Sequence, residues 1–139
     1  MSTLAAAMTA IIAALATTAV IGAVVNRRSG VLRETRPEPH QDTSGLGLSQ
    51  TGPTIVHFSA AWCGPCASVR RVIDQVCGDL PRVSHVEIDI DANPAAAKQL
   101  SVLSLPTTFI FDTDGQQRYR SAGVPKVADL RNLLQPLLA

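Results

Sequence analysis

Two cysteines, Cys63 and Cys66, are separated only by Gly64 and Pro65 in the stretch WCGPC. Thiols at this spacing support two kinds of chemistry: a reversible disulfide, or one half of a tetrahedral zinc site. A structural zinc site needs four ligands. The other residues that could supply ligands are scattered along the chain: His40, His57, His85 and Cys77. Because none of these forms a second close pair, the sequence favours redox chemistry over metal binding.

The cysteine pair is expected between a buried strand and a helix. Residues 54–59, TIVHFS, form an apolar run rich in β-branched side chains, which is typical of a strand buried on both faces. The residues from about Cys63 to Cys77 have apolar side chains at helical spacing, and Gly78 is expected to end this helix. Both sulfurs would then lie in the first turn of the helix.

A cysteine at the start of a helix is chemically activated. Free backbone amides and the positive end of the helix dipole stabilise a thiolate at Cys63, and the thiolate is the species that attacks disulfides. Cys66 would lie one turn further on the same side, close enough to form a disulfide. Pro65 is tolerated there because its missing N–H is no loss in a first turn. We therefore expect Cys63 to act as the nucleophile and Cys66 as the resolving thiol.

The chain after Thr54 predicts one α/β domain. A second strand is expected in RVSHVEIDID, and Asn93 and Pro94 mark the start of a short helix. Asp114–Gly115 is the turn of a hairpin, and the last helix carries Pro136, which should loosen its final turn. The predicted order is β-α-β-α-β-β-α, which gives a mixed sheet with helices on both faces.

In this context AAWCGPC resembles the active site of the thioredoxin family, and the similarity runs from about Thr54 to Ala139. Pro106 in SLPTTFIF matches the family's cis-proline beside the disulfide, and DIDANP and the DG turn follow the family's order. The resemblance implies a thioredoxin-like α/β fold with a mixed central sheet flanked by helices. It also implies that no cofactor or metal is needed beyond a redox-active Cys63–Cys66 disulfide.

The resemblance further implies a substrate-binding surface around the cysteines. Its residues would be Trp62, Gly64, Pro65, Leu105, Pro106 and Gly123. The implied substrates are protein disulfides, and the implied electron donor is a thioredoxin reductase or a membrane electron carrier. Nucleic acid is not an expected partner, because the 12 basic and 11 acidic residues are mixed rather than clustered into a basic face.

His57 and Glu87 mark a departure from the family pattern. The family usually has a buried acid where this chain has His57, and a lysine where it has Glu87. An ordinary histidine pKa near 6.5 suits proton transfer, so His57 is a candidate for moving a proton at Cys66, with Glu87 holding its ring. The alternative is a core histidine without a catalytic part, beside a glutamate that points to solvent.

Three smaller features complete the soluble part. Residues 26–53 show no counterpart of the family's opening strand and helix, so we expect a linker and a loop, with a short edge strand at Leu46–Leu48. Arg71 replaces a proline that commonly kinks the active-site helix, and with Arg70 it predicts a solvated helix face. Cys77 is expected to be a buried thiol that cannot reach the active-site sulfurs.

The N-terminal segment predicts a transmembrane helix. No charged side chain precedes Arg27, and a helix over residues 4–25 would be about 33 Å long, against about 30 Å of hydrocarbon. A cleaved signal peptide is the main alternative, but MST lacks its usual positive charge, and a core helix would show a polar face. The predicted division is an anchor at 1–25, a linker at 26–53 and a catalytic domain at 54–139.

The arginines after this segment predict its orientation. Arg27, Arg28, Arg33 and Arg36 follow the span directly, and Lys and Arg favour the cytoplasmic side. We therefore expect a single-pass membrane protein that reduces protein disulfides at the cytoplasmic face, where the milieu is reducing. The alternatives are a thiol–disulfide oxidoreductase on the outer side of the membrane, a binding module with incidental thiols, and a thiolate carrier of metal ions.

Overall fold

A computed structural model describes residues 2–36 and 42–139 of the chain, so His40 lies outside the described residues. The first helix, α1, spans Ser2–Arg28. The remaining elements, in chain order, are β1 (Arg33–Glu34), β2 (Thr54–Ser59), α2 (Cys66–Asp79), β3 (Ser84–Asp89), α3 (Pro94–Gln99), β4 (Thr107–Phe111), β5 (Gln117–Ala122), α4 (Val127–Leu134) and a 3₁₀ turn over Gln135–Leu138. From β2 onward this is the predicted order of elements.

The strands form one mixed sheet in the order β1-β5-β4-β2-β3. Only β2 and β3 are parallel, and the other three pairs are antiparallel. All six residues of β2 are buried, which explains the apolar run that predicted this strand.

Helices cover both faces of the sheet, as predicted. On one face, Ile55 and Ile110 pack against residues of α2 and α4, including Val69, Ile73 and Leu130. On the other face the core contains Val56, Phe58, Phe109 and Phe111, together with Ala97 of α3 and Leu100 at its C-terminal end. The alternation of neighbouring residues between these two cores follows from the two-residue period of a strand.

The edge strand lies elsewhere than the sequence suggests. Residues 46–48 form no strand, and Leu46 is instead buried in the core beside α3. The edge position is taken by β1, whose Arg33 and Glu34 pair with Arg120 and Tyr119 of β5. A strand of two residues has no measurable period, which is why the pattern of the sequence did not reveal it.

The bounds of α2 also differ from the prediction. The helix begins at Cys66 rather than Cys63, so only the second sulfur belongs to it. It continues through Gly78 to Asp79, and Gly78 therefore has a helical position instead of the expected terminal one. At the C-terminus of the chain, the 3₁₀ turn containing Pro136 agrees with the predicted loosening of the last helix.

The first helix is apolar and stands apart from the domain. Within Thr3–Arg28 an 18-residue window has a mean hydropathy of 2.2, and 0% of that window is buried. By length and composition it is a candidate membrane span, and an N-terminal signal sequence has the same properties.

Candidate active site

Cys63 and Cys66 form a disulfide, with their Cα atoms 5.5 Å apart. Cys63 is partly exposed, whereas Cys66 is 2% exposed. The Sγ atom of Cys66 lies 4.0 Å from the carbonyl oxygen of Phe58, inside the core. An incoming disulfide can therefore reach the sulfur of Cys63 and not that of Cys66.

The loop between β2 and α2 holds Cys63 in front of the helix. The backbone N–H of Cys63 donates to the carbonyl of Ala60 at 3.1 Å, and the N–H of Cys66 donates to the carbonyl of Cys63 at 3.3 Å. Pro65 is the N-terminal cap residue of α2. Cys63 thus precedes the positive end of the α2 dipole, an arrangement that stabilises a thiolate.

Trp62, Gly64 and Pro65 form the exposed surface around Cys63. The indole of Trp62 is 70% exposed, and its Nε1–H donates to Asp91 Oδ2 at 3.1 Å. This bond fixes one end of the ring while leaving most of its apolar surface open to a partner.

The segment that leads into β4 has the backbone expected beside the disulfide. The Leu105–Pro106 peptide bond is cis. Thr107, the next residue, pairs with Phe58 of β2, so Pro106 lies at the same edge of the sheet as the cysteine loop. The N–H of Gly123 donates to the carbonyl of Pro106 at 2.9 Å, which joins the end of β5 to this segment.

Gly123 contacts the residues that follow α1. Its φ is +94°, and a Cβ at this position would overlap the hydroxyl of Ser29 and crowd the backbone of Gly30. Gly30 has a φ of +78°, and its N–H donates to the carbonyl of Ala122 at 2.6 Å. The predicted substrate-binding position at Gly123 therefore lies directly beside the end of the N-terminal helix.

His57 is fully buried on the face of the sheet that α2 covers. It follows Ile55 by one strand period, and Ile55 packs against α2. Burial lowers the pKa of His57 from 6.5 to about 4, although the negative charge of Glu87 opposes this shift. Neither ring nitrogen has a hydrogen-bond partner among the described residues. The ring is thus neutral near pH 7, and both of its nitrogens lack a partner in the described part of the chain.

Glu87 lies opposite His57 in the β2–β3 ladder but does not hold its ring. Its carboxylate instead accepts two bonds from Arg70, at 2.9 and 2.5 Å, and one from the Ser59 hydroxyl at 2.7 Å. These contacts, led by the bond from Arg70, lower the pKa of Glu87 to about 2. Glu87 is therefore an ion-pair partner rather than a free solvent-facing side chain.

Arg70 was expected on a solvated face and was not recognised as a neighbour of the site. It projects from the helix that Cys66 begins, and with Ser59, Ala60 and Glu87 it lines a shallow depression beside the cysteine loop. In the sequence, the pairing of Arg70 and Glu87 is indicated only by their opposite charges. Because the two residues belong to different elements, the sequence alone does not show that they come together.

Other polar groups lie near His57 in the interior. The ring of His85 stacks on His57 with centroids 5.8 Å apart, and burial lowers the pKa of His85 as well. Thr108 lies opposite His57 in β4, and its hydroxyl has no hydrogen-bond partner in the described part of the chain. Thr108 in turn pairs with Ser121 of β5. The sheet thus carries a row of buried polar side chains beneath α2.

The third cysteine is separate from the site. Cys77 is a free, partly buried thiol near the end of α2, and burial raises its pKa. Within residues 2–36 and 42–139, no group of three or more His, Cys, Asp or Glu side chains is arranged to hold a metal ion.

Comparisons with known proteins agree with this geometry. The family model for thioredoxin matches residues 46–136. The thioredoxin of Mycolicibacterium smegmatis is 40% identical over 99 residues, which cover 68% of this chain and 86% of the relative. The thioredoxin of Chlamydia trachomatis is 37% identical over 84 residues, covering 60% and 81%. The residues matched by the family model do not include α1.

Solved structures show the same fold. Chloroplastic thioredoxin z superposes with a TM-score of 0.57 at 34% identity, over 63% of this chain and 79% of that one. Mitochondrial thioredoxin 3 of Saccharomyces cerevisiae gives a TM-score of 0.55 at 27% identity, over 63% and 81%. Thioredoxins need no cofactor, since the cysteine pair itself carries the electrons. This chain therefore belongs to the thioredoxin family, as a thiol–disulfide oxidoreductase whose redox centre is the Cys63–Cys66 disulfide.

Proposed function

We propose that this chain is a membrane-anchored reductase of protein disulfides, with residues 1–25 as its anchor and residues 54–139 as its catalytic domain. The linker between them adds β1 and Leu46 to the sheet and the core. The observation that carries the proposal is the unequal exposure of the two sulfurs next to an apolar helix that the domain does not cover.

The exchange begins on the reduced protein. The thiolate of Cys63 attacks one sulfur of a substrate disulfide, so a Cys63–substrate bond forms and the substrate's own S–S bond breaks. The first substrate thiolate leaves and takes a proton from water. Trp62, Gly64, Pro65, Leu105, Pro106 and Gly123 surround this step and contact the substrate backbone in the proposed complex.

The resolving step needs a proton acceptor in the interior. Cys66 is a buried thiol in the reduced protein, and it must lose its proton before it attacks the sulfur of Cys63. We assign this proton to His57, whose ring is neutral and unpartnered on the same face as α2. The second substrate thiolate then leaves with the proton, and the Cys63–Cys66 disulfide forms. Two electrons have passed to the substrate, and a donor dithiol returns them.

Glu87 influences the proton affinity of His57 through its charge rather than through a hydrogen bond. Its carboxylate, fixed by Arg70 and Ser59, raises the proton affinity of His57 against the effect of burial. In this proposal the donor is a thioredoxin reductase or a membrane electron carrier, and a cytoplasmic catalytic domain is supported by the arginines in the last turn of α1 and just after it.

The catalytic roles are tested by single-turnover reduction of insulin. Cys63→Ser is expected to abolish reduction, because the attacking sulfur is lost. Cys66→Ser is expected to accumulate a mixed disulfide, since attack proceeds and resolution does not. Loss of insulin reduction in Cys63→Ser would exclude a mere binding module, whereas unaltered biological activity of a Cys63→Ser/Cys66→Ser chain would make the thiols incidental and support one.

The part of His57 is tested in the resolving step alone. His57→Ala should slow release of the mixed disulfide by about 100-fold, the lower range of general base catalysis, while the first attack keeps its rate. Thr108→Val is the matched control, because it alters a buried neighbour without removing a proton acceptor. An unchanged release rate and an unchanged pH profile in His57→Ala would refute the assignment.

The anchor and its orientation need separate measurements. The full chain is expected to stay in the membrane fraction after alkaline washing, and a reporter fused after Ala139 should be active only in the cytoplasm. A soluble product that has lost its N-terminal segment would mean that α1 is a cleaved signal. A reporter active only outside would place the same chemistry on the other side of the membrane.

A further inference from the structure

We propose that the active-site edge of the domain faces the bilayer, and that its partner is a disulfide carried at the membrane surface by another membrane protein. The inference rests on the proposed anchor and extends it, because the anchor alone would allow any orientation of the domain. It follows from where the chain leaves the sheet.

The strand directions place α1 at the active-site edge. The end of β2, at Phe58, pairs with the start of β4, at Thr107, and Thr107 pairs with Ala122 at the end of β5. Because β1 runs antiparallel to β5, the start of β1 lies at this edge too. The cysteine loop, cis-Pro106, Gly123 and the end of α1 therefore all lie on one side of the sheet. The hairpin turn around Asp114 lies on the opposite side.

The connection from the helix to the sheet is short and closely packed. The helix ends at Arg28, and Gly30 already donates a hydrogen bond to Ala122. Ser29 packs against Gly123, so closely that a Cβ on Gly123 would overlap its hydroxyl. Only Ser29 separates the helix from this fixed point. The domain therefore has little freedom to turn its redox site away from the membrane.

The distance between the anchor and the redox site is correspondingly small. The strands β1, β5, β4 and β2 are neighbours in the sheet, and three spacings of about 4.8 Å separate β1 from β2 by about 14 Å. The opposite edge is about 20 Å further away, since β2 has six residues that each add about 3.3 Å. The cysteine loop thus lies at the edge of the domain nearer to the end of α1, about one strand length closer to it than the opposite edge.

The exposed apolar side chains also belong to segments at the active-site edge of the sheet. Outside α1, the large apolar residues exposed in the described part of the chain are Val31, Trp62 and Leu103, at 46%, 70% and 92%. Val31 follows the anchor, Trp62 precedes the nucleophile, and Leu103 belongs to the loop before cis-Pro106. Tryptophan and leucine are favourable at a membrane interface, and Arg27 and Arg28 suit the headgroups there.

Ser29 and Gly30 also lie beside the segment that contains cis-Pro106. They cover Gly123, which joins cis-Pro106 through its hydrogen bond. A substrate segment that passes Pro106 would therefore lie next to the end of the anchor. Disulfides in segments close to the bilayer fit this position, and disulfides held far from it by a folded domain do not.

The orientation is tested with the chain's single tryptophan. Full-length protein in vesicles that contain a dansyl-labelled headgroup lipid should show strong energy transfer from Trp62. A Trp62→Phe/Asp114→Trp chain moves the donor to the opposite edge and should show several-fold weaker transfer. Equal transfer from both positions, or stronger transfer from position 114, would overturn the proposal. Failure of the full chain to sediment with vesicles would instead remove the anchor, and with it this inference.

The substrate class is tested with two disulfide peptides on membrane-spanning helices, one with a short spacer and one with a long rigid spacer. The reduced full chain should react with the near disulfide about tenfold faster or more, because the geometry raises its effective concentration. Inserting about twelve Gly and Ser residues between Arg28 and Ser29 adds a tether of about 20 Å and should remove this preference. The same insertion after Ala139 is the control. Equal rates of reaction with the near and the far disulfide in the unmodified chain would overturn this inference. If the same chain still reduces insulin in detergent, the proposed reductase activity would stand.

Discussion

At the scale of single residues, the two sulfurs differ because the chain places them in different environments. Cys63 lies in the turn before α2 and is partly exposed, whereas Cys66 begins the helix and is buried against Phe58. The sequence indicates this order of attack from the helix start alone. It does not reveal the environment of Glu87, because Arg70 and Ser59 reach that carboxylate from other elements of the fold.

His57 should make the protein less stable in mild acid. Its folded pKa is about 4, against 6.5 for an ordinary histidine, so the unfolded chain binds the proton first as the pH falls. Stability is therefore complete above about pH 6.5 and decreases toward pH 4, by about 2 kcal/mol between pH 7 and pH 5. Urea unfolding at the two pH values measures this difference.

The matched variant for this measurement is His57→Gln. It should lose most of the difference between pH 7 and pH 5, and His85, whose pKa is also lowered, accounts for the remainder. Glu87 acts in the same direction but in a more acid window, since its lowered pKa favours folding above pH 4.5 and this contribution is lost only as the pH falls toward 2. A His57→Gln chain with the full pH dependence would contradict the assignment of this effect to His57.

The charge of Glu87 should be detectable in the titration of His57. In Glu87→Gln the carboxylate that favours the protonated ring is absent, so the pKa of His57 should decrease further. In Arg70→Gln a positive charge is removed and the pKa should increase. NMR titration of the imidazole distinguishes the two, and shifts in the same direction would contradict the electrostatic account. The free energy of unfolding should change little in either variant, because this pair is partly exposed and solvent screens it.

At the scale of elements, local sequence patterns predicted the helices, strands and turns that have a residue period or a turn signature. They did not predict the elements whose position depends on contacts between distant parts of the chain. The apolar run of β2, the Asn93–Pro94 start of α3 and the Asp114–Gly115 turn were all visible in the sequence and lie where they were expected. The short edge strand β1 was not, because its place is fixed by pairing with β5 far along the chain. The start of α2 was misplaced by one turn, since both cysteines fit the helical spacing.

Gly78 gives a direct test of the bounds of α2. The residue is exposed inside the helix, and a Cβ there would meet nothing within 4 Å. Gly78→Ala should therefore stabilise the protein by about 0.5–1 kcal/mol, because alanine favours the helix. Gly115→Ala is the contrasting variant and should destabilise, since Gly115 has a φ of +76°. Destabilisation by Gly78→Ala in thermal unfolding would mean that the helix ends there, as the sequence first suggested.

At the scale of the whole molecule, a thioredoxin domain is joined to a long apolar helix by a short and closely packed connection. The family resemblance predicted the domain from its motifs, and composition predicted the helix. Neither indicated that the two meet at the active-site edge, because that follows from the strand order and from the close approach of Ser29 and Gly123. The proposed membrane-facing reductase follows from this connection together with the proposed anchor.

The most direct measurement is the labelling of Cys63 and Cys66 in living cells that express the full chain with Cys77→Ala. The account predicts a reduced pair in the membrane fraction, in which Cys63 reacts with a membrane-impermeant maleimide only after the cells are permeabilised and Cys66 reacts only after the protein is also denatured. Labelling in intact cells would place the domain outside the membrane. A Cys63–Cys66 disulfide that persists in growing cells would contradict its work as a reductase.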